Sequence, residues 1–270
     1  MPDQTSSSWE TIRVERDGGV TLVTIDRPER MNAINSVMMM ELERFWTAFD
    51  RDLDQRVAVV TGSGDRAFCV GADVKEIVEL GALPERQRHP DVRIASRITP
   101  LQARVSKPTI CAVNGICAGG GLHFVADCDV SIAAEEATFV DPHVSVGQVS
   151  ALEPIVLARR VPLGPLLRMV LVGSHETLTA QRAYELGIVT EVVPRTELVD
   201  RSVDLARKIA SNSPAAVAAS RRAVWDSLEM SLEAARQHGW DLLMAHWGHP
   251  DFDEGPRAFA EKREPGWHRG

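Results

Sequence analysis

Cysteine is scarce in this chain of 270 residues, and none of the four present (Cys69, Cys111, Cys117, Cys128) belongs to a CxxC pair. Their apolar or glycine-rich surroundings argue against a zinc site or a disulfide framework and for buried free thiols in a reducing compartment. Positive charge is short as well: 30 Lys and Arg against 38 Asp and Glu give a net charge of −8. That balance argues against general binding to nucleic acid or to an anionic membrane surface. A small polyanionic ligand remains compatible, since it needs only a few local basic residues. No apolar run reaches membrane-spanning length, and residues 1–8 have neither a basic start nor an apolar core. Neither a transmembrane segment nor a signal peptide is therefore expected, and the expected location is cytoplasmic. Nucleotide signatures are missing too. Gly62-Ser-Gly64 runs into Asp65-Arg66-Ala67 instead of completing GxGxxG, and no Walker loop occurs.

What is present is a chain with 44% hydrophobic residues, ample for a buried core. Residues 9–16 and 20–26 alternate around Asp17-Gly-Gly19 and read as a β-hairpin. Ser36 to Asp54 has helical spacing, with Val37, Met40, Leu42, Phe45 and Phe49 mostly on one side. Val57–Thr61, Ile110–Val113 and Val130–Ala133 are short buried strands. Strands alternating with helices at this spacing predict a parallel sheet of βα units. Residues 81–92, with Pro84, Pro90 and several charges, read as a mobile loop, and from Leu163 onward the pattern is helical almost throughout. The expected organisation is an α/β core over 1–195 followed by a helical region over 196–270, without repeats or a long linker.

One stretch carries the most information: Gly119, Gly120, Gly121, Leu122 and His123, following the apolar strand Thr109–Val113 and opening a helix. Three glycines at a strand-to-helix junction leave backbone N–H groups bare at the positive end of the helix dipole, where a negatively charged oxygen is favoured. A second segment, Ala67-Phe-Cys-Val-Gly-Ala-Asp-Val-Lys-Glu76, again moves from a strand through small residues into a helix. Two such turns can hold one carbonyl oxygen between them as an oxyanion hole.

These segments resemble the crotonase (enoyl-CoA hydratase/isomerase) superfamily nearly end to end. Asp26-Arg-Pro-Glu-Arg-Met-Asn-Ala33 is similar to its early CoA-binding turn, and Ala67–Glu76 and Asn114–Gly121 to its two oxyanion segments. Phe139-Val-Asp-Pro-His143 falls where its second catalytic strand ends, and Glu254–Pro265 resembles its C-terminal helix signature. The resemblance implies a spiral of ββα units with a C-terminal helical region that forms trimers, or hexamers by stacking. It implies an acyl-CoA thioester as substrate, with coenzyme A as part of that substrate and no metal or redox cofactor. The backbone N–H groups of Val70 and Gly120 would bind the thioester oxygen. Substrate contacts would fall at Arg30, Ala33, Ala67, Gly71, Ala72, Asp73, Gly119 and Pro142. Lys262 would reach a phosphate, across a subunit boundary.

The chain departs from the family where the chemistry is done. Typical hydratases carry glutamates two residues after the triple glycine and directly after the later proline; here those positions hold His123 and His143. Imidazoles exchange protons near neutrality, with an ordinary pKa of about 6.5, but they do not supply the negative field of two carboxylates. Both positions changing to one titratable type favours catalysis by at least one of them over two spectators. Glu153 is the carboxylate expected to pair with His143 as a catalytic dyad, and Asp141 is the second candidate, reaching the same side only if the strand continues through Pro142. His89 flanks the family's acyl pocket; His175, His238, His246, His249 and His268 lie in loops or the helical tail.

Three readings follow. The leading one is an acyl-CoA enzyme that hydrates, isomerises or cleaves its substrate with His123 and His143 in place of glutamates. The second is a retro-Claisen hydrolase of a β-diketone or β-keto thioester, with His143 and Glu153 activating water. The third is a CoA-ester-binding protein without turnover.

Overall fold

The spiral begins with the hairpin. In the computed structural model, which describes residues 9–81 and 85–268, β1 (Ile12–Asp17) pairs antiparallel with β2 (Val20–Ile25) around Gly18-Gly19. Gly18 takes a left-handed conformation (φ 57°) that a tight turn requires and a residue with a β-carbon resists. Helix α1 (Ser36–Arg51) follows, capped by the Asn35 side chain accepting from Met38 N at 2.9 Å. Its buried face carries Met38, Leu42, Phe45, Trp46 and Phe49. Burying each large side chain of this kind contributes about 1.5–3 kcal/mol.

From here each turn of the chain gives one strand to a large sheet and one to a small sheet. β3 (Val57–Gly62) leads to β4 (Ala67–Cys69) and helix α2 (Val74–Leu80), and after α3 (Val92–Ala95) comes β5 (Thr109–Val113). β5 leads to β6 (Ile116–Ala118) and α4 (Leu122–Asp127), and β7 (Val130–Ala134) leads to β8 (Thr138–Val140) and α5 (Leu152–Leu157). Then come α6 (Leu163–Val172), β9 (Leu178–Thr179), α7 (Ala180–Glu185) and β10 (Glu191–Val193). The large sheet runs β1-β2-β3-β5-β7-β10 and the small one β4-β6-β8-β9. β3 and β5 are buried along their whole length, which is why they read as continuous apolar runs with no alternation.

Two strands and one connection differ from the sequence expectation. β9 and β10 interrupt the region expected to be helical almost throughout, because strands of two and three residues leave no periodic trace. The glycine run follows β6 of the small sheet, not β5 directly. Residues 82–84 of the expected loop lie outside the described residues; Glu85–Arg88 forms a single 3-10 turn.

Beyond residue 195, α8 (Leu198–Ala210) packs on β2, β3, β5 and β7 of the large sheet. α9 (Pro214–Ser227) and α10 (Leu232–His246) pack on each other, and α11 (Pro250–Glu261) closes the chain. Arg221 and Trp225 of α9 both bond Asp129, at 2.8 and 2.6 Å, and tie this layer to the core. Among the described residues no helix is long and apolar enough to cross a membrane, and all four cysteines are buried and unbridged.

Candidate active site

Three parallel strands of the small sheet end at one edge, and the chemistry sits just beyond them. Ala67 pairs with Ile116 and Cys69 with Cys117, while Ala118 pairs with Val140. Val70-Gly71, Gly119-Gly120 and Asp141-Pro142 therefore leave the sheet side by side at the carboxyl ends of its strands, where open α/β sheets place their ligands.

The two glycine turns are in contact. A β-carbon on Gly71, whose φ is +86°, would stand 2.7 Å from Gly120 N and 3.1 Å from the Ala118 carbonyl. One on Gly121 would stand 2.2 Å from the Cys69 carbonyl, so glycine is required at both positions for the turns to meet. Buried amides brace the turns from behind. Asn32, in the left-handed region at φ 57°, donates to the carbonyls of Ser63 and Ala67 at 2.9 and 2.8 Å. Asn114 accepts from Gly62 N at 3.1 Å and donates to the Gly64 carbonyl at 3.0 Å.

The segment 30–36 is laced to the first turn. Ile34 N donates to the Gly71 carbonyl at 2.8 Å and Asp73 N to the Ile34 carbonyl at 2.9 Å. Arg27 bonds the Ala33 carbonyl at 2.6 Å and the Asp73 carboxylate at 2.9 Å. Burial pushes the Asp73 carboxyl up, but Arg27 and the N–H groups of α2 outweigh it and hold it below the usual carboxylate range. Ala33 and Ala67 are buried and Ala72 is exposed in this arrangement. Arg30 and Lys262 are exposed, the latter closing α11 in a left-handed conformation. Arg27, three residues earlier, is the arginine that braces the turn.

The two histidines each meet a carboxylate, in a pairing that corrects the expected one. His143 Nδ1 lies 2.7 Å from Asp141 Oδ1, and Glu153 Oε1 lies 3.1 Å from His123 Nε2. Glu153 is thus not the hydrogen-bond partner of His143. The strand ends at Val140, and Pro142 turns the chain into a short helical turn (His143–Val146), so Asp141 reaches His143 by chain reversal instead of strand alternation. Glu153 comes to His123 because α5 packs against α4. His89 is exposed, its ring accepting from Asp91 N at 3.0 Å within its own loop.

The sequence reading missed three partners. Ser150 Oγ donates to Asp141 Oδ2; Gln102 Nε2 lies 3.1 Å from His123 Nδ1; and Thr99 Oγ1 donates to the buried Asp127 at 2.5 Å. A polar residue in a loop gives no periodic signal.

Electrostatics separates the two pairs. The hydrogen bond that His143 donates to Asp141 raises the His143 pKa above its ordinary value, against burial and with help from the Glu153 charge. For Asp141, burial pushes the carboxyl up, but the bonds from His143 and Ser150 hold it below the usual range. An ionised Asp141 only accepts, so His143 carries its proton on Nδ1 and, when neutral, a lone pair on Nε2. That edge of the ring faces the glycine run: a β-carbon on Gly119 would stand 3.6 Å from Cε1 and 3.8 Å from Nε2. Asp127 is pushed up by burial despite His123, Thr99 and Arg160 nearby.

A family model described as enoyl-CoA hydratase/isomerase matches residues 15–270. The chain belongs to the enoyl-CoA hydratase/isomerase family. It is 34% identical over 259 residues to a mitochondrial probable enoyl-CoA hydratase of Dictyostelium discoideum, covering 96% of this chain and 91% of that one. It is 35% identical over 255 residues to the mevalonyl-coenzyme A hydratase of Aspergillus fumigatus, covering 92% and 91%. The crystal structure of an enoyl-CoA hydratase/isomerase from Mycobacterium paratuberculosis superposes with a TM-score of 0.90 at 40% identity, over 97% of this chain and 100% of that one. The expected crotonase-type fold is therefore the fold of this family member. An acyl-CoA thioester fits it as substrate.

Proposed function

We propose that this protein is an acyl-CoA enzyme that holds a thioester oxygen between the backbone N–H groups of Val70 and Gly120 and moves protons with His143. The observation that carries this reading is the His143 ring itself. Its Nδ1 is bound to Asp141 while its Nε2 edge lies against Gly119, beside Gly120. A histidine oriented by a carboxylate, with its free nitrogen toward developing enolate charge, is a general base set beside an oxyanion site. His123 and Glu153 form the second pair and return one carboxylate to a pocket that has lost both usual glutamates. Arg30, Ala33, Ala67, Gly71, Ala72, Asp73, Gly119, Pro142 and Lys262 supply the surface for the acyl chain and the nucleotide, and coenzyme A enters with the substrate. No metal or redox group is needed for this chemistry.

Assembly as a trimer or a pair of trimers is part of the proposal. Trp240, Leu243, Met244 and Trp247 on and after α10 are exposed apolar side chains that suit a subunit boundary. A monomeric mass by light scattering at micromolar concentration would overturn it.

Crotonyl-CoA is the deciding substrate. Each acid–base group contributes about 10²–10⁴-fold, so hydration is expected to be weak or absent without the paired glutamates. A rate comparable with a good hydratase would show that the histidines do not redirect the chemistry. The His143–Asp141 pair also supports a second reading, because one oriented imidazole suffices to activate water for retro-Claisen cleavage of a β-diketone or β-keto thioester. Product analysis separates the two: water added to an intact chain, or two acidic fragments. Tight CoA-ester binding without turnover on a broad panel would exclude both.

A further inference from the structure

Both ring nitrogens of His123 are occupied by the protein, and the identity of each partner decides where its proton sits. Gln102 is the key. Its segment is pinned to α1 by the Trp46 indole N–H donating to the Ile98 carbonyl at 2.8 Å. The backbone N–H of Ile98 donates to Gln102 Oε1 at 3.1 Å, and Ser96 Oγ donates to the same oxygen at 2.9 Å. A backbone N–H cannot accept, so the amide oxygen must face Ile98 and the NH₂ must face His123. The NH₂ group has hydrogens and no lone pair. Its 3.1 Å contact with His123 Nδ1 therefore requires the lone pair to be on Nδ1. The ring proton sits on Nε2, 3.1 Å from Glu153 Oε1.

We propose that Gln102 is a positioning residue: it locks His123 as the Nε2–H tautomer, so that His123 holds Glu153 and offers no base to the substrate. His143 is then the only imidazole of the two with a free nitrogen on the glycine run. The two family positions have separate jobs, one orienting a carboxylate and one moving a proton. Glu153 on α5 and Asp127, one turn along α4, are the carboxylates beside His123, and Arg160 stands near Asp127. On the third side a proton on Nδ1 would meet the Gln102 NH₂ head-on. The functional half of this inference rests on the reading of the pocket as catalytic; the tautomer does not.

Histidine-¹⁵N NMR on the unliganded, full-length protein tests the tautomer directly, with His123→Asn assigning the signals. At neutral pH His123 is expected to show a pyridine-like Nδ1 and a pyrrole-like Nε2, and neutral His143 the reverse. A protonated Nδ1 on His123, alone or with Nε2, overturns the proposal. Gln102→Glu places an acceptor against Nδ1, and a pyrrole-like Nδ1 signal is then expected on His123. In kinetics Gln102→Leu is expected to lower kcat by about 10²-fold with KM little changed, the cost typical of misaligned reacting groups. Unchanged kcat in a folded Gln102→Leu enzyme would overturn the positioning role. Absence of turnover on every substrate would instead defeat the catalytic reading, while the spectrum still decides the tautomer.

Discussion

Asp141 and His143 stand two residues apart and are joined through Oδ1 and Nδ1 at 2.7 Å, with the His143 backbone N–H donating to the same oxygen at 3.2 Å. The pair forms inside one chain reversal, so its geometry is local and does not depend on distant packing. Its orientation toward the glycine run does, because β6 and β8 must lie in register for the ring to reach Gly119.

The first prediction concerns pH. His143 acts as a neutral base, so activity should rise with pH through its raised pKa, giving an acidic limb above the ordinary value of 6.5. Asp141→Asn removes the largest cause of that shift and should move the limb to lower pH while slowing the reaction. Glu153→Gln should move it the same way by less, since Glu153 acts on His143 only through its charge. A larger shift from Glu153→Gln, read from kcat/KM profiles, would reverse this assignment. Stability follows the same linkage with opposite signs for the two partners. His143, raised, contributes below its ordinary 6.5 and loses that contribution as pH climbs through its folded value. Asp141, depressed, contributes above its ordinary 3.8 and loses that contribution on acidification.

Removing the imidazole separates binding from chemistry. His143→Ala should cost about 10²–10⁴-fold in turnover and leave CoA-ester binding nearly intact, because the proposed oxyanion donors are backbone groups. Titration calorimetry with a non-reactive CoA thioester, beside turnover on the true substrate, reads both. Retention of most activity would make His143 a spectator.

Contact between the two turns makes a steric prediction. Gly71→Ala forces a β-carbon to 2.7 Å from Gly120 N at a φ of +86°, so the turns must part. A loss of about 10²–10³-fold in kcat is expected, as for a displaced oxyanion donor. Gly164→Ala, whose β-carbon meets nothing within 4 Å, should leave kcat unchanged.

Thiol chemistry offers a test without substrate. Burial pushes Cys69 up to about 12 and raises Cys111 and Cys117 well above the ordinary range. Thiolates are the reactive form, so native protein should resist an aromatic disulfide reagent until denaturant is added. Rapid native labelling of any of the four would contradict their burial.

Much of the molecule was legible from residue order alone. The hairpin at Asp17-Gly-Gly19, the helix from Ser36, the buried strands and the two small-residue turns all rest on local periodicity and on glycine's freedom at positive φ. The histidines at 123 and 143 are likewise facts of the sequence. β9 and β10 were not legible, because strands of two and three residues exist only by pairing with neighbours already in place. Nor was the partnership of the histidines. Glu153 was expected beside His143, with Asp141 as the second candidate. Packing of α5 on α4 gave it to His123 instead, and Asp141 took His143 through a turn that a strand pattern does not announce. Residue types and turns are written locally, whereas a hydrogen bond between side chains on two helices is decided by how those helices pack.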